Sequence, residues 1–131
     1  MSLISDPQLV RKTTNSAGYE LYCLEGFEIQ PGNKAIIETG VRINLPLGYY
    51  AKVEEKSRYH KDDFCIKVGA GIIDGDFTGT IKVILINQGK KVFRLSANTS
   101  IAQLILHKYE RFDNEIVEQV IRNSEGFGST N

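Results

Sequence analysis

The sequence predicts an all-β domain, a jelly-roll-like sandwich or barrel, on three observations. Short apolar runs recur at close spacing along the chain, and each is bounded by turn-forming residues such as Gly, Pro and Asn. Helical periodicity is weak everywhere. Many short strands separated by turns fold into closed β architectures, because a sheet with one apolar face must bury it against another. At 131 residues the chain fits one domain, and that size buries roughly two-thirds of the unfolded surface without a disulfide or structural metal.

The elements follow in chain order. Ser16-Ala17-Gly18-Tyr19-Glu20-Leu21 is a small-residue turn leading into a strand. Residues 27–29 and 34–45 are extended runs parted by Gln30-Pro31-Gly32-Asn33, a turn because proline fixes its own φ and glycine permits a positive one. After Asn44-Leu45-Pro46-Leu47-Gly48 comes a strand over 49–53. The short stretch 57–63 is the one helical candidate, with Ser57 as its N-cap. The run 80–87 carries Ile81, Val83 and Leu85 on one face and Ile84 and Ile86 on the other, so both faces are expected to be largely buried. Gln88-Gly89-Lys90 then turns the chain into 92–95, an expected hairpin. Strands over 101–106 and 116–121 complete the set. The expected division is one β domain over 1–122 and a flexible C-terminal lid over 123–131, whose single large apolar residue cannot order the segment by burial.

Sixteen basic residues balance sixteen acidic ones, so net charge gives no long-range attraction to a nucleic-acid polymer. A small anion in a local basic pocket is still allowed. Cys23 and Cys65 lie among apolar neighbours and read as free core thiols. His60 and His107 share no metal-ligand spacing with them, so no zinc site is expected. No run is apolar and long enough for a signal peptide or a membrane span. The expected location is intracellular, cytoplasmic or nuclear.

Five segments carry chemistry. Gly69 to Gly79 holds four glycines with Asp74 and Asp76, directly before the most hydrophobic strand. Glycine lets backbone approach a ligand closely, and a carboxylate at a strand end accepts a proton from water; a plain Gly-Asp turn fits the same residues. The tail Gly126-Phe127-Gly128-Ser129-Thr130 offers backbone N–H groups and two hydroxyls, with Arg122 upstream, as a phosphate cradle does. It is not a P-loop, because no lysine follows. Glu55-Lys56-Ser57-Arg58 sets two cations around a hydroxyl, suited to phosphate oxygens or to a solvated loop. Ser100-Ile101-Ala102-Gln103-Leu104 places one amide in an apolar strand. A buried glutamine must be hydrogen-bonded, most simply to nearby backbone. The fifth segment is the turn before Leu21, with Glu20 its carboxylate.

In their order, these segments resemble the five motifs of the trimeric dUTP pyrophosphatase (dUTPase) family, roughly A-G-Y-D-L, P-R-S-G-L-A, G-V-I-D-x-D-Y-R-G, R-I-A-Q-L and R-G-x-x-G-F-G-S-T-G. The resemblance runs from about Ser16 to Thr130 and is loosest at the second motif. It implies a jelly-roll subunit in a homotrimer whose active sites draw on all three chains. It implies Mg²⁺-dependent hydrolysis of dUTP to dUMP and pyrophosphate, by water attack on the α-phosphorus. Asp74 matches the aspartate that orients that water. The segment from Asp76 through Gly79 to Ile81, with Gly71 before it, matches the hairpin that reads uracil through backbone groups. Phe77 stands where the family has tyrosine against the deoxyribose; packing needs the ring and not its oxygen. Lys56, Ser57, Arg58 and Gln103 match phosphate-contacting positions. Arg122, Ser129 and Thr130 match the γ-phosphate clamp, and Phe127 with Gly128 the lid over the base.

The chain departs from the pattern at named places. Glu20 replaces an aspartate that holds the metal's water shell, and so stands as an indirect, water-mediated metal residue. Lys56 replaces an arginine, losing its bidentate fork. Thr78 and Ser100 replace two more arginines, and Glu54 and Glu55 add negative charge. These departures motivate an alternative: a catalytically weakened dUTPase-like nucleotide-binding or signalling module. A dCTP deaminase of similar fold is a third reading, opposed by the lack of a glutamate in 80–87.

Overall fold

Nine strands form among residues 9–118, the part of the chain described in the computed structural model. The boundary expected at 122, the tail residues Arg122, Phe127, Gly128, Ser129 and Thr130, and the second half of the expected strand 116–121 lie outside it. Residues 116–118 form no strand.

The strands are β1 (Tyr19–Tyr22), β2 (Phe27–Ile29), β3 (Lys34–Glu38), β4 (Tyr49–Glu54), β5 (Ile66–Gly69), β6 (Ile72–Ile73), β7 (Lys82–Asn87), β8 (Phe93–Leu95) and β9 (Ser100–Lys108). They build three antiparallel sheets, ordered β1-β9-β4-β6, β3-β7-β5 and β2-β8. Their inner faces meet in a core of Leu21, Val53, Ile66, Ile81, Leu85 and Leu104, each at most 3% exposed. The all-β, jelly-roll-like architecture is the one the sequence predicts.

Local chemistry explains where the expected elements change. The run 34–45 stops being a strand after Glu38 because Gly40 turns the chain at φ 73°, a conformation open to glycine. The alternation nonetheless continues, with Val41 and Ile43 buried. On β7 the second face, Ile84 and Ile86, is only half-buried.

The hairpin expected between 80–87 and 92–95 does not form. β7 lies between β3 and β5, while β8 pairs with β2. The connecting residues spend their donors elsewhere: Gln88 N–H on Cys65 O, Lys90 N–H on Asp63 O and Gly89 N–H on Asn87 Oδ1. The stretch expected as a helix over 57–63 is a single 3-10 turn, Ser57–His60, whose N-cap is Lys56 and not Ser57, without a side-chain cap. Lys61, in extended backbone, ends the turn, and Asp62 follows at φ 56°. The thiols are free, Cys23 fully buried and Cys65 half-buried.

Candidate functional site

The central strand β4 carries a polar cluster at each end. Its register against β9 runs from Tyr49 opposite Lys108 to Glu54 opposite Gln103. Glu20 on β1 lies opposite Gln103 on the other side. At the far end, β6 pairs Ile73 with Ala51, so Asp74 leaves that sheet towards Tyr50 and Tyr49.

The Glu54 end is saturated with hydrogen bonds. Glu20 is 6% exposed, and its Oε1 accepts from Lys56 Nζ at 2.5 Å and Ser100 Oγ at 2.6 Å. Burial pushes the Glu20 carboxyl up, but the Lys56 and Ser100 hydrogen bonds and the Lys56 charge outweigh it and hold it below its ordinary value. Ser100 O accepts from Tyr59 Oη at 2.6 Å and Arg58 Nη2 at 3.0 Å. Gln103 is half-buried, and its Nε2 donates to Glu55 O at 3.0 Å, a backbone partner of the kind expected for it. Glu55 Oε1 accepts from the Val68 N–H at 3.1 Å, and its carboxyl too is held below the ordinary range against burial. Ser57, between the tethered Lys56 and Arg58, is exposed. Gly18 packs closely here: a Cβ on it would lie 2.7 Å from Gln103 Oε1, so the Gln103 side chain would have to shift.

The Tyr49 end is open. Asp74 and Asp76 are exposed and line a cleft of about 800 Å³ with Tyr49, Tyr50, Tyr109 and Arg111. Phe77 N–H donates to Asp74 O at 3.2 Å, closing a turn over 74–77. Gly71 has a packing reason: its carbonyl accepts from Val53 N–H, and a Cβ on it would lie 2.5 Å from Val53 O. The limb that follows is docked on 38–42. Arg42 Nη1 donates to Thr78 O at 2.7 Å, Thr80 Oγ1 to Glu38 Oε1 at 2.9 Å, and Ile81 N–H to Val41 O at 2.7 Å. Gly79 is buried and Phe77 half-buried.

The structure therefore gathers Glu20, Lys56, Ser57, Arg58 and Gln103 at one end of β4, and Asp74 and Asp76 at the other. It does not bring the two groups together within one chain. Four residue steps of strand lead from Tyr50 to Glu54, roughly 13 Å at the usual rise. The aromatic wall and Arg111 are absent from the sequence-level expectations. Their signal was the run Tyr109-Glu110-Arg111 directly after the long strand β9, set against Tyr49-Tyr50 at the start of β4.

The Glu20 carboxylate, expected to reach a metal only through water, is not arranged to ligate one directly through Oε1. Its Oε1 already takes two hydrogen bonds, and the ammonium beside it opposes a divalent cation. Among the described residues no group of three or more His, Cys, Asp or Glu side chains is arranged to hold a metal ion. No helix there is long and apolar enough to cross a membrane.

The dUTPase family model matches residues 6–131. A deoxyuridine 5'-triphosphate nucleotidohydrolase of fowlpox virus is 36% identical over 126 residues, 92% of this chain and 86% of that protein. The human mitochondrial protein of that name is 38% identical over 123 residues, and the match covers 92% of this chain but only 48% of the human one. Among solved structures, the native EIAV dUTPase superposes with TM-score 0.79 at 28% identity, covering 90% of this chain and 98% of that one. A family match over residues 6–131 and a relative 36% identical across 92% of this chain identify the chain as a member of the dUTPase family.

Proposed function

We propose that the chain hydrolyses dUTP to dUMP and pyrophosphate, with Asp74 holding the water that attacks the α-phosphorus. The family membership carries this reading. Asp74 suits the task because an exposed carboxylate on a turn fixed by the Phe77 N–H is rigid at its base and accessible to a water at its tip. As the water adds, the carboxylate takes its proton, and pyrophosphate leaves in line. Positioning supplies most of the rate in phosphoryl chemistry. The limb from Asp76 through Gly79 to Ile81 reads uracil through backbone groups. The Phe77 ring excludes a ribose 2′-hydroxyl.

The active form is a homotrimer with shared sites. What supports this is the separation of the two clusters along β4: Ser57, Arg58 and Gln103 of one chain need Asp74 from another to surround one triphosphate. The tail, with Arg122, Phe127, Gly128, Ser129 and Thr130, closes the site as a lid. Mg²⁺, when bound, would neutralise charge on the triphosphate, and no described side chain is assigned to hold it directly.

The test is incubation of the pure protein and Mg²⁺ with dUTP, dTTP, UTP and dCTP in turn, following pyrophosphate and ammonia. Pyrophosphate from dUTP alone is the expected result. Ammonia from dCTP would make the chain a deaminase, and silence on all four a binding module. Removing residues after Arg122 is expected to depress turnover sharply without unfolding the domain.

A further inference from the structure

Three of the positions at which the chain departs from the family pattern are 20, 56 and 100, and their side chains meet. The Glu20 carboxylate is the hub. Its Oε1 receives Lys56 Nζ at 2.5 Å and Ser100 Oγ at 2.6 Å, and the Glu20 and Lys56 side chains are only 5% and 15% exposed. A bulge makes this possible. Opposite β1, β9 advances three residues, from Gln103 to Ser100, while β1 advances two, from Glu20 to Tyr22. The extra residue re-aims Ser100 onto the face that carries Glu20. A longer carboxylate on β1 thus meets a short hydroxyl on β9, with an ammonium closing the gap.

The same hub ties down the turn that presents Ser57. Lys56 is bonded to Glu20, while Arg58 and Tyr59 are bonded to the Ser100 carbonyl. Ser57 stands exposed between these tethers.

We propose that Glu20, Lys56 and Ser100 are one set of positioning residues, in which Lys56 acts through Glu20 to hold the Ser57 turn against strands β1 and β9 and does not itself bind the triphosphate. The assignment rests on the dUTP-hydrolase reading given above. It makes the departures at 20, 56 and 100 one compensated change and not three separate losses. A buried ion pair behaves in this way: stripping one partner leaves an uncompensated charge, while neutralising both is far milder.

The experiment is a double-mutant cycle on the full chain, with Glu20→Gln, Lys56→Gln and the double variant. The readouts are kcat and KM for dUTP, taken below the melting temperature of every variant. Each single variant is expected to lose about tenfold in kcat with KM nearly unchanged, and the double variant no more than the worse single. If Lys56→Gln raises KM for dUTP by the same factor with and without Glu20, Lys56 is a triphosphate ligand and the proposal is overturned. Coupling in thermal stability without coupling in kcat would mark a purely structural cluster and also overturn it. Should a single variant not fold, Ser100→Ala serves in its place. It is expected to lower kcat a few-fold in the wild-type background and not in the Glu20→Gln background, and an equal effect in both overturns the unit. A wild-type chain that releases no pyrophosphate from dUTP refutes the hydrolase reading instead, and the control reports that separately.

Discussion

At the Glu54 end of β4 the Glu20 carboxylate is buried and bonded to Lys56 and Ser100, whereas at the Tyr49 end the carboxylates stand exposed in an open cleft. Glu20 is 6% exposed with two donors on one oxygen. Asp74 and Asp76 are exposed beside an aromatic wall. The first arrangement resists rearrangement, because every group moved leaves another buried and unpaired. The second costs little to build and leaves its groups accessible to a substrate. Under the proposed function, one strand then carries a scaffold end that holds a turn and a reactive end that meets water, and substitutions should sort accordingly.

The largest effect is expected at the reactive end. Asp74→Asn should lower kcat roughly a thousandfold while leaving dUTP affinity and melting temperature nearly intact, since Asp74 is exposed. Stopped-time product assays and equilibrium binding separate the two quantities, and a near-normal kcat would take Asp74 out of the role.

At the scaffold end the cost falls on stability. Lys56→Ala strands the buried Glu20 carboxylate and should destabilise the fold by about 3 kcal/mol in urea titration. A loss of a few tenths would mean that the pair is solvated. Between the two ends, Gly71→Ala forces a Cβ to 2.5 Å from Val53 O and should cost about 2 kcal/mol. A neutral result would show that the β4–β6 contact yields.

The smallest effect is in acid. Glu20 is held below its ordinary value of 4.5 in the folded chain, so as pH falls the unfolded chain takes up that proton first. The stabilising contribution is complete above the unfolded value and is lost as pH drops through the lower, folded one. The stability advantage of wild type over Glu20→Gln should therefore shrink below pH 4.5. An advantage constant into strong acid would remove the linkage.

The strands that alternate or run apolar, β3, β4, β7 and β9, were legible in the sequence, because periodicity reports which side chains face a core. The 80–87/92–95 hairpin was not, because the pattern says that a turn exists but not which strands pair across it. Asn87, fully buried, donates through Nδ2 to Ile29 O and Lys91 O, a long-range bond that no local signal announces. β6, two residues inside the glycine-rich segment, was hidden by its own turn chemistry.

For the candidate site, ordered motifs singled out Asp74, Ser57 and Gln103 as candidates but not their separation along β4. Spacing in sequence carries no distance across a sheet. The convergence of Glu20, Lys56 and Ser100 was equally hidden, since it depends on a bulge in β9.

The claim that joins the two ends is that a working site takes Asp74 from one chain and the Gln103 end from another. It is tested most directly by mixing. Asp74→Asn and Gln103→Ala chains, each inactive alone, are unfolded together in equal amounts, refolded and assayed for pyrophosphate release from dUTP. Shared sites predict recovery of about a quarter of the wild-type rate, because that share of sites draws both intact residues from different chains. A mixture as inactive as its components would contradict the account.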